Sequence, residues 1–315
     1  LMDSAGLNDD VVINGADLDR YGLIPDEITE IKQLFEHATT FGSLIQVSEE
    51  LTTKLPALKH LSEEIGRDLF VSEAFEHLGQ LVRQAEMLAA QYDAVVANPP
   101  YMGSKFFTPS LKEHLKIHYK GYEKDFFSAF IDRDIAFSKP HGHLGFMSPF
   151  VWMFLSSYQH LRARIIAKET IVSLVQLEYS GFAGATVPIC SFTLRKDYIA
   201  GERGCFIRLS DFPGTENQGP KTLEAIRNRD CTWFFEAKQD DLEKIPGHLI
   251  AYWALKGLLD GFTNPGLGTR TKGEGKNVTA DNDRFLRLHW EVSVKELGRD
   301  KKWLLYAKGG SFRKW

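Results

Sequence analysis

Four consecutive residues, Asn98, Pro99, Pro100 and Tyr101, follow the apolar run "YDAVVA" and can do chemistry that their neighbours cannot. Two prolines fix two φ angles and remove two backbone donors, so neither strand nor helix continues through them and the flanking groups sit on a stiff bend. The Asn98 side-chain oxygen and the Pro99 carbonyl are then two acceptors at a set separation, which suits a planar NH2 group. An aromatic amine is a poor nucleophile because its lone pair is delocalised into the ring. Accepting both of its hydrogen bonds lets the nitrogen pyramidalise and favours the positive charge that develops during attack on a methyl donor. Tyr101 adds a flat face on which a base can stack, worth about 1–3 kcal/mol. A base inside a duplex cannot reach such a tip, so the chemistry requires it to be flipped out. A proline-rich strand terminator without chemistry is the plainer alternative. Position at the carboxyl end of an apolar strand, where α/β sheets bind ligands, favours the site.

The elements that must position this tip can be read on both sides of it. Upstream, Ile28, Ile31, Leu34 and Phe35 recur at helical spacing. The stretch from Ser48 to Gln91 reads as two or more amphipathic helices interrupted near Pro56 and Gly66, and "FGSLIQV" before it as a short strand. Downstream, "DFFSAFIDRDIAF" puts Phe127, Phe130, Ile131 and Ile135 on one helical face, and "LGFMSP" is a second strand. A helix over "YQHLRARIIAK", a third strand over "TIVSLVQLE" and a fourth over "PICSFTLRKDY" follow. Strands alternating with helices predict an α/β fold with a mostly parallel sheet; the last connection lacks a helix, so the fourth strand is expected antiparallel. Beyond about residue 200 the pattern loosens into short strands such as "GCFIRLS", one helix over "GHLIAYWALKGLLD" and a glycine-rich stretch that does not match a phosphate-binding loop. A domain boundary is expected there, dividing 1–200, with a helical insertion at 20–91, from an α+β region at 201–315.

Composition is that of an ordinary soluble globular protein, 43% apolar and 25% charged over 315 residues. The amino terminus has neither the basic start nor the apolar core of a signal peptide, which suggests a cytoplasmic location. Residues 266–315 hold 12 Lys and Arg against 6 Asp and Glu, so a net charge of −4 leaves −10 on the rest. A basic end on an acidic body is compatible with a polyanion contact, and equally with a solvated lysine-rich surface. Cys190, Cys205 and Cys231 include no C-x-x-C pair and read as reduced, buried small hydrophobes. His114 and His118 lie one helical turn apart without the glutamate of a zinc helix, so no metal is expected. His141 and His143 flank a turn glycine and are expected exposed; Asp125 is placed as a helix N-cap.

"YDAVVANPPYMGSK", "GHLGFMSPFVWM", "TADNDRFLRLHWEV" and "KWLLYAKGGSFRKW" together resemble the PglX family, adenine-specific DNA methyltransferases of BREX phage-defence systems related to larger restriction-modification methyltransferases. The resemblance spans nearly the whole chain, its last two segments being the most specific. It implies a partial Rossmann-like methyltransferase sheet using S-adenosylmethionine, with Asn98, Pro99, Pro100 and Tyr101 as the catalytic motif. It further implies double-stranded DNA with a flipped adenine, and other phage-defence proteins, as partners. Phe182 is the candidate second aromatic against the base, with core packing as the alternative. Ser43 and Leu44, at the end of "FGSLIQV", are candidates beside the cofactor adenine. Arg270, Lys272, Lys276, Arg284 and Arg287 are candidate DNA contacts in the region that begins target recognition. The family's glycine-rich cofactor loop is not found before Asn98. The chain is therefore expected to be a fragment lacking the amino-terminal cofactor-binding half, and inactive alone. Two rivals stay open: methylation of a glutamine amide in protein, which shares the N-P-P-Y chemistry, and a non-catalytic DNA- or partner-binding piece.

Overall fold

A computed structural model describes residues 2–4, 15–65, 72–181, 187–271 and 281–306. It divides into two compact units, Leu1–Asn264 and Pro265–Trp315. The first opens with helices α1 (Gly15–Arg20), α2 (Pro25–Leu34), α3 (Ala38–Phe41), α4 (Glu49–Ile65) and α5 (Ser72–Ala89). On α4, Leu51, Leu55, Leu58 and Leu61 repeat every three or four residues and are all buried, facing Leu78, Leu81, Val82 and Ala85 of α5. The expected break at Pro56 does not occur: α4 runs through it, with the ring exposed. A proline inside a helix costs about 3 kcal/mol. Four leucines buried at roughly 1.5–3 kcal/mol each outweigh that.

The sheet begins with β1 (Tyr92–Ala97). Helices α6 (Pro109–His118) and α7 (Phe126–Phe137) lead to β2 (Ser138–Pro149), and α8 (Gln159–Lys168) leads to β3 (Thr170–Gln176). Then come β4 (Ile189–Arg195), β5 (Arg203–Arg208), α9 (Thr215–Arg227), β6 (Phe234–Lys238), α10 (Gln239–Glu243) and α11 (Lys256–Gly261). The strand order is β1-β2-β4-β3-β5-β6. β1 is parallel to β2 and β3 to β5, while β4 is antiparallel to both β2 and β3, and β6 is antiparallel to β5. Strands β1, β2, β3 and β5 therefore share one direction, the mostly parallel sheet with an antiparallel fourth strand that the pattern predicts. With no helix among the described residues between them, β4 turns back antiparallel along β3 and fills the gap beside β2. Phe127, Ile131 and Ile135 of α7 and Leu161, Ile165 and Ile166 of α8 pack on the sheet residues Leu144, Phe146, Leu174 and Phe192.

Three further sequence expectations change. "FGSLIQV" is no strand: α3 ends in it and Gly42–Leu44 is a 3-10 turn. Arg133 donates from Nε to the Ser43 carbonyl at 2.9 Å and from a terminal nitrogen to that of Ile45 at 2.8 Å, and the Tyr119 hydroxyl donates to that of Leu44 at 2.7 Å. Side chains thus take the acceptors that a strand ladder needs. "GHLIAYWALKGLLD" is helical only over its end, as α11; Ile250 donates its N–H to the Met153 carbonyl at 3.1 Å and Tyr252 stacks on Phe206 at 4.6 Å. Those contacts draw the segment across the sheet. Finally, residue 200 falls inside the sheet, since β5 pairs with β3.

The described part of the second unit holds short pieces: a 3-10 turn Leu267–Thr269, α12 (Asn282–Phe285), two more 3-10 turns and a bridge between Leu297 and Trp303. Among the described residues no helix is long and apolar enough to cross a membrane.

Candidate active site

β1 delivers Ala97 opposite Phe146 of β2, and the chain leaves the sheet at Asn98. Asn98 is exposed, Pro99 buried, Pro100 exposed and Tyr101 half-buried against the main core. The Tyr101 hydroxyl donates to Asn98 Oδ1 at 2.9 Å and also reaches the Met147 carbonyl at 3.2 Å. Burial, with a smaller contribution from Cys190, holds the Tyr101 hydroxyl above its ordinary pKa, so it stays a donor. One lone pair of the Asn98 oxygen is occupied and the other remains available outward. The bend therefore presents an amide whose orientation is set by its own motif.

The exit from the motif is also tied. Phe126 donates its N–H to the Met102 carbonyl at 2.9 Å, Ser104 to that of Lys124 at 3.2 Å, and Gly103 bridges Asp125. Asp125 caps α7, as its sequence position suggests, accepting from the Phe127 N–H at 3.4 Å. Burial pushes its carboxyl up, opposed by backbone donors at Phe127, Met102 and Phe126. Through the Met102 donor the cap of α7 reaches the residue after Tyr101. The spacing of the sequence alone does not show that link.

Leu44 lies in one buried cluster with Leu115, Tyr119 and Phe126, against which Met102 packs. Leu44 thereby shares a cluster with the residue following Tyr101, and Ser43 precedes Leu44 in the 3-10 turn. The Ser43 side chain is half-exposed, and its carbonyl is turned toward Arg133. Arg133, buried and invisible to motif reasoning, also donates to the Leu88 carbonyl at 2.9 Å and lies 4.0 Å from the Phe137 ring centre. An arginine in the middle of an apolar helical run is the signal that could have found it.

Phe182, Lys272 and Lys276 lie outside the described residues. Arg270, Arg284 and Arg287 are exposed in the second unit; Arg284 and Arg287 line an open cleft of about 1100 Å³ with Lys301, Lys302 and Trp303. His114 stacks on Phe41 at 4.1 Å and faces the Leu44 carbonyl, with His118 4.5 Å away. Burial and His118 lower the pKa of His114 to about 4. His141 and His143 are exposed, and His141 pairs with Asp197 at 2.8 Å. Cys190 is buried, with its thiol pushed up to about 12 by burial, whereas Cys205 and Cys231 are half-buried.

Residues 26–182 match the model of the Eco57I restriction-modification methylase family, an interval that encloses Ser43, Leu44 and the N-P-P-Y bend. The adenine-specific methyltransferase BrxX of Escherichia coli O9:H4 (strain HS) is 35% identical over 295 residues, 90% of this chain and 24% of that protein. The adenine-specific methyltransferase PglX of Lacticaseibacillus casei (strain Zhang) is 30% identical over 307 residues, 91% of this chain and 26% of that protein. The chain thus spans about a quarter of the length of the curated relatives it matches. A type I restriction-modification methyltransferase subunit from Streptococcus thermophilus superposes with a TM-score of 0.38 at 14% identity, covering 56% of this chain and 45% of that one. Over nine-tenths of its length the chain is thus similar in sequence to these two adenine-specific methyltransferases, and over residues 26–182 to the Eco57I methylase family.

Proposed function

We propose that this chain carries the catalytic bend of an enzyme that transfers a methyl group from S-adenosylmethionine to the exocyclic amino group of adenine in DNA, in phage defence. The observation that carries the reading is the exposed Asn98 amide at the end of a parallel strand, held by the Tyr101 hydroxyl at 2.9 Å. Asn98 Oδ1 and the Pro99 carbonyl accept the two N–H bonds of the adenine amine, so that its lone pair turns outward as the nitrogen pyramidalises. The exposed part of the Tyr101 ring stacks on the extruded base. The names of BrxX and PglX favour adenine over a protein amide as acceptor.

The residues present fit one side of the cofactor. Ser43, half-exposed next to buried Leu44, offers a hydroxyl without a hydrogen bond among the described residues. Ser43 would hold the adenosine end, with Leu44 fully buried behind it and its carbonyl taken by Tyr119, and the sulfonium supplies the methyl group when bound. The first unit, Leu1–Asn264, carries the transfer chemistry. The second unit, from Pro265, with Arg270, Lys272, Lys276, Arg284 and Arg287, begins the part that reads DNA sequence, and Phe182 is the second face against the base.

The test is Asn98→Ala in the full-length protein, assayed for methyl transfer to duplex DNA and for DNA affinity. Turnover is expected to vanish with affinity within a factor of two, on the order of the noise of such assays; retained methylation would remove Asn98 from the mechanism.

A further inference from the structure

Immediately after the N-P-P-Y bend the charge of the molecule reverses. Residues 102–124 hold five lysines, Lys105, Lys112, Lys116, Lys120 and Lys124, against Glu113 and Glu123, on a body whose first 265 residues carry −10. Some lysines elsewhere on that body have carboxylate partners: Lys54 with Glu27 and Lys59 with Glu86, both at 3.2 Å, Lys139 with Asp93 at 3.0 Å, and Lys221 with Glu224 at 2.7 Å. All five of the segment are exposed, and among the described residues none forms an ion pair. Five unpaired ammonium groups kept close together on an acidic protein repel one another. They call for an anion from outside.

The scaffold under them is capped and packed. Thr108 caps α6, its side chain accepting from the Leu111 N–H at 3.3 Å, with Pro109 opening the helix. Leu111, Leu115 and Tyr119 are buried in the cluster that Met102 and Phe107 also join. This pins one face of α6 and leaves Lys112 and Lys116, one turn apart, on the opposite one. Lys120 follows two residues past the helix end. The axial spacing of Lys112 and Lys116, about 6 Å, follows from the helix rise. It is close to that of every second phosphate of one DNA strand, at roughly 3.4 Å per charge. Beside the row, Phe106 is 67% exposed with the Lys105 ammonium 4.7 Å from its ring centre, an apolar face next to a cation. Of the two histidines, His114 is turned to Phe41 and the Leu44 carbonyl, so it does not add to the row.

We propose that Lys112, Lys116 and Lys120, with Lys105 beside Phe106, form a contact surface for the phosphate backbone of duplex DNA. The surface holds the strand next to the site of base extrusion. This rests on the reading of the N-P-P-Y bend given above, and it adds a sequence-independent contact to the catalytic unit itself. Such contacts position a duplex without reading it.

The experiment is the dependence of duplex-DNA affinity on salt concentration in the full-length protein. Each phosphate contact contributes about 0.9 to the slope of log affinity against log salt, so the triple variant Lys112→Ala, Lys116→Ala, Lys120→Ala is expected to be shallower by roughly 2–3. The triple Lys→Arg variant restores the slope, which a folding defect would not produce. Lys54→Ala with Lys59→Ala, removing paired lysines, leaves it unchanged. A shallower slope supports the surface whatever Asn98→Ala does to methylation. An unchanged slope overturns it, even where Asn98→Ala abolishes methylation. A loss confined to single-stranded RNA, with duplex affinity intact, overturns it as well.

Discussion

At the scale of residues, the bend is a self-oriented acceptor. Asn98 is exposed and would rotate freely about its side-chain torsions were it not for the Tyr101 hydroxyl, which is itself fixed by the core and by the Met147 carbonyl. Tyr101→Phe keeps the ring and removes that hold. A neutral hydrogen bond contributes about 0.5–1.5 kcal/mol, so methyl transfer by the full-length variant should slow roughly 3- to 10-fold with little change in DNA affinity. Single-turnover kinetics separate the two quantities, and an unaltered rate would show that the amide is oriented by something else. Tyr101 was legible as the aromatic of the motif. Its second role was not, because a bond between residues three apart on a bend depends on torsions that the residue types do not specify.

At the scale of elements, α7 is the organiser, tying β1 to the Gly42–Leu44 turn. Its Asp125 cap holds Met102, and its Arg133 holds three carbonyls from two other segments. Beside Arg133, Asp134 is buried, and its Oδ2 has no hydrogen-bond partner among the described residues. Burial, partly offset by Arg133, pushes this carboxyl from 3.8 to about 7. The folded state then binds a proton that the unfolded chain has released. The stability this contributes is full below about pH 4 and is lost as the pH rises toward 7. His114 works the other way: its pKa is lowered from 6.5 to about 4, so its effect on stability improves as pH rises through that range. Comparing the wild-type protein with Asp134→Asn cancels the histidine. The variant's denaturation midpoint relative to wild type should therefore rise between pH 4 and 7, and a pH-independent difference would show that Asp134 titrates normally.

At the scale of the molecule, β1 is an edge strand with its outer side open, and Val96, two residues before Asn98, is 85% exposed. In the function proposed above, half-exposed Ser43 faces the adenosine end, with Leu44 fully buried behind it. The chain of residues 1–315 by itself is accordingly expected to bind S-adenosylmethionine weakly and to transfer no methyl group. Titration calorimetry giving micromolar affinity or better with this chain alone would contradict that. The sheet meanwhile runs past residue 200 to β6, so the compositional loosening there marks a change in loop length rather than the end of a folded unit.

Much of this protein was decided locally and could be read from residue order. Strands β1 to β4, the faces of α7 and α8, and the reversal of β4 follow from apolar periodicity and from whether a connection is long enough for a helix. The two prolines likewise place Asn98 and Tyr101 just past a strand, because their effect on the backbone needs no partner. Tertiary structure alone decided that "FGSLIQV" turns instead of pairing, that α4 survives Pro56, and that the amide of Asn98 meets the hydroxyl of Tyr101. In each of these a backbone or side-chain group had several possible partners. The one that prevailed was supplied by chain folded around it, through the carbonyl-binding reach of Arg133, the leucine face of α5's neighbour α4, and the core that seats Tyr101.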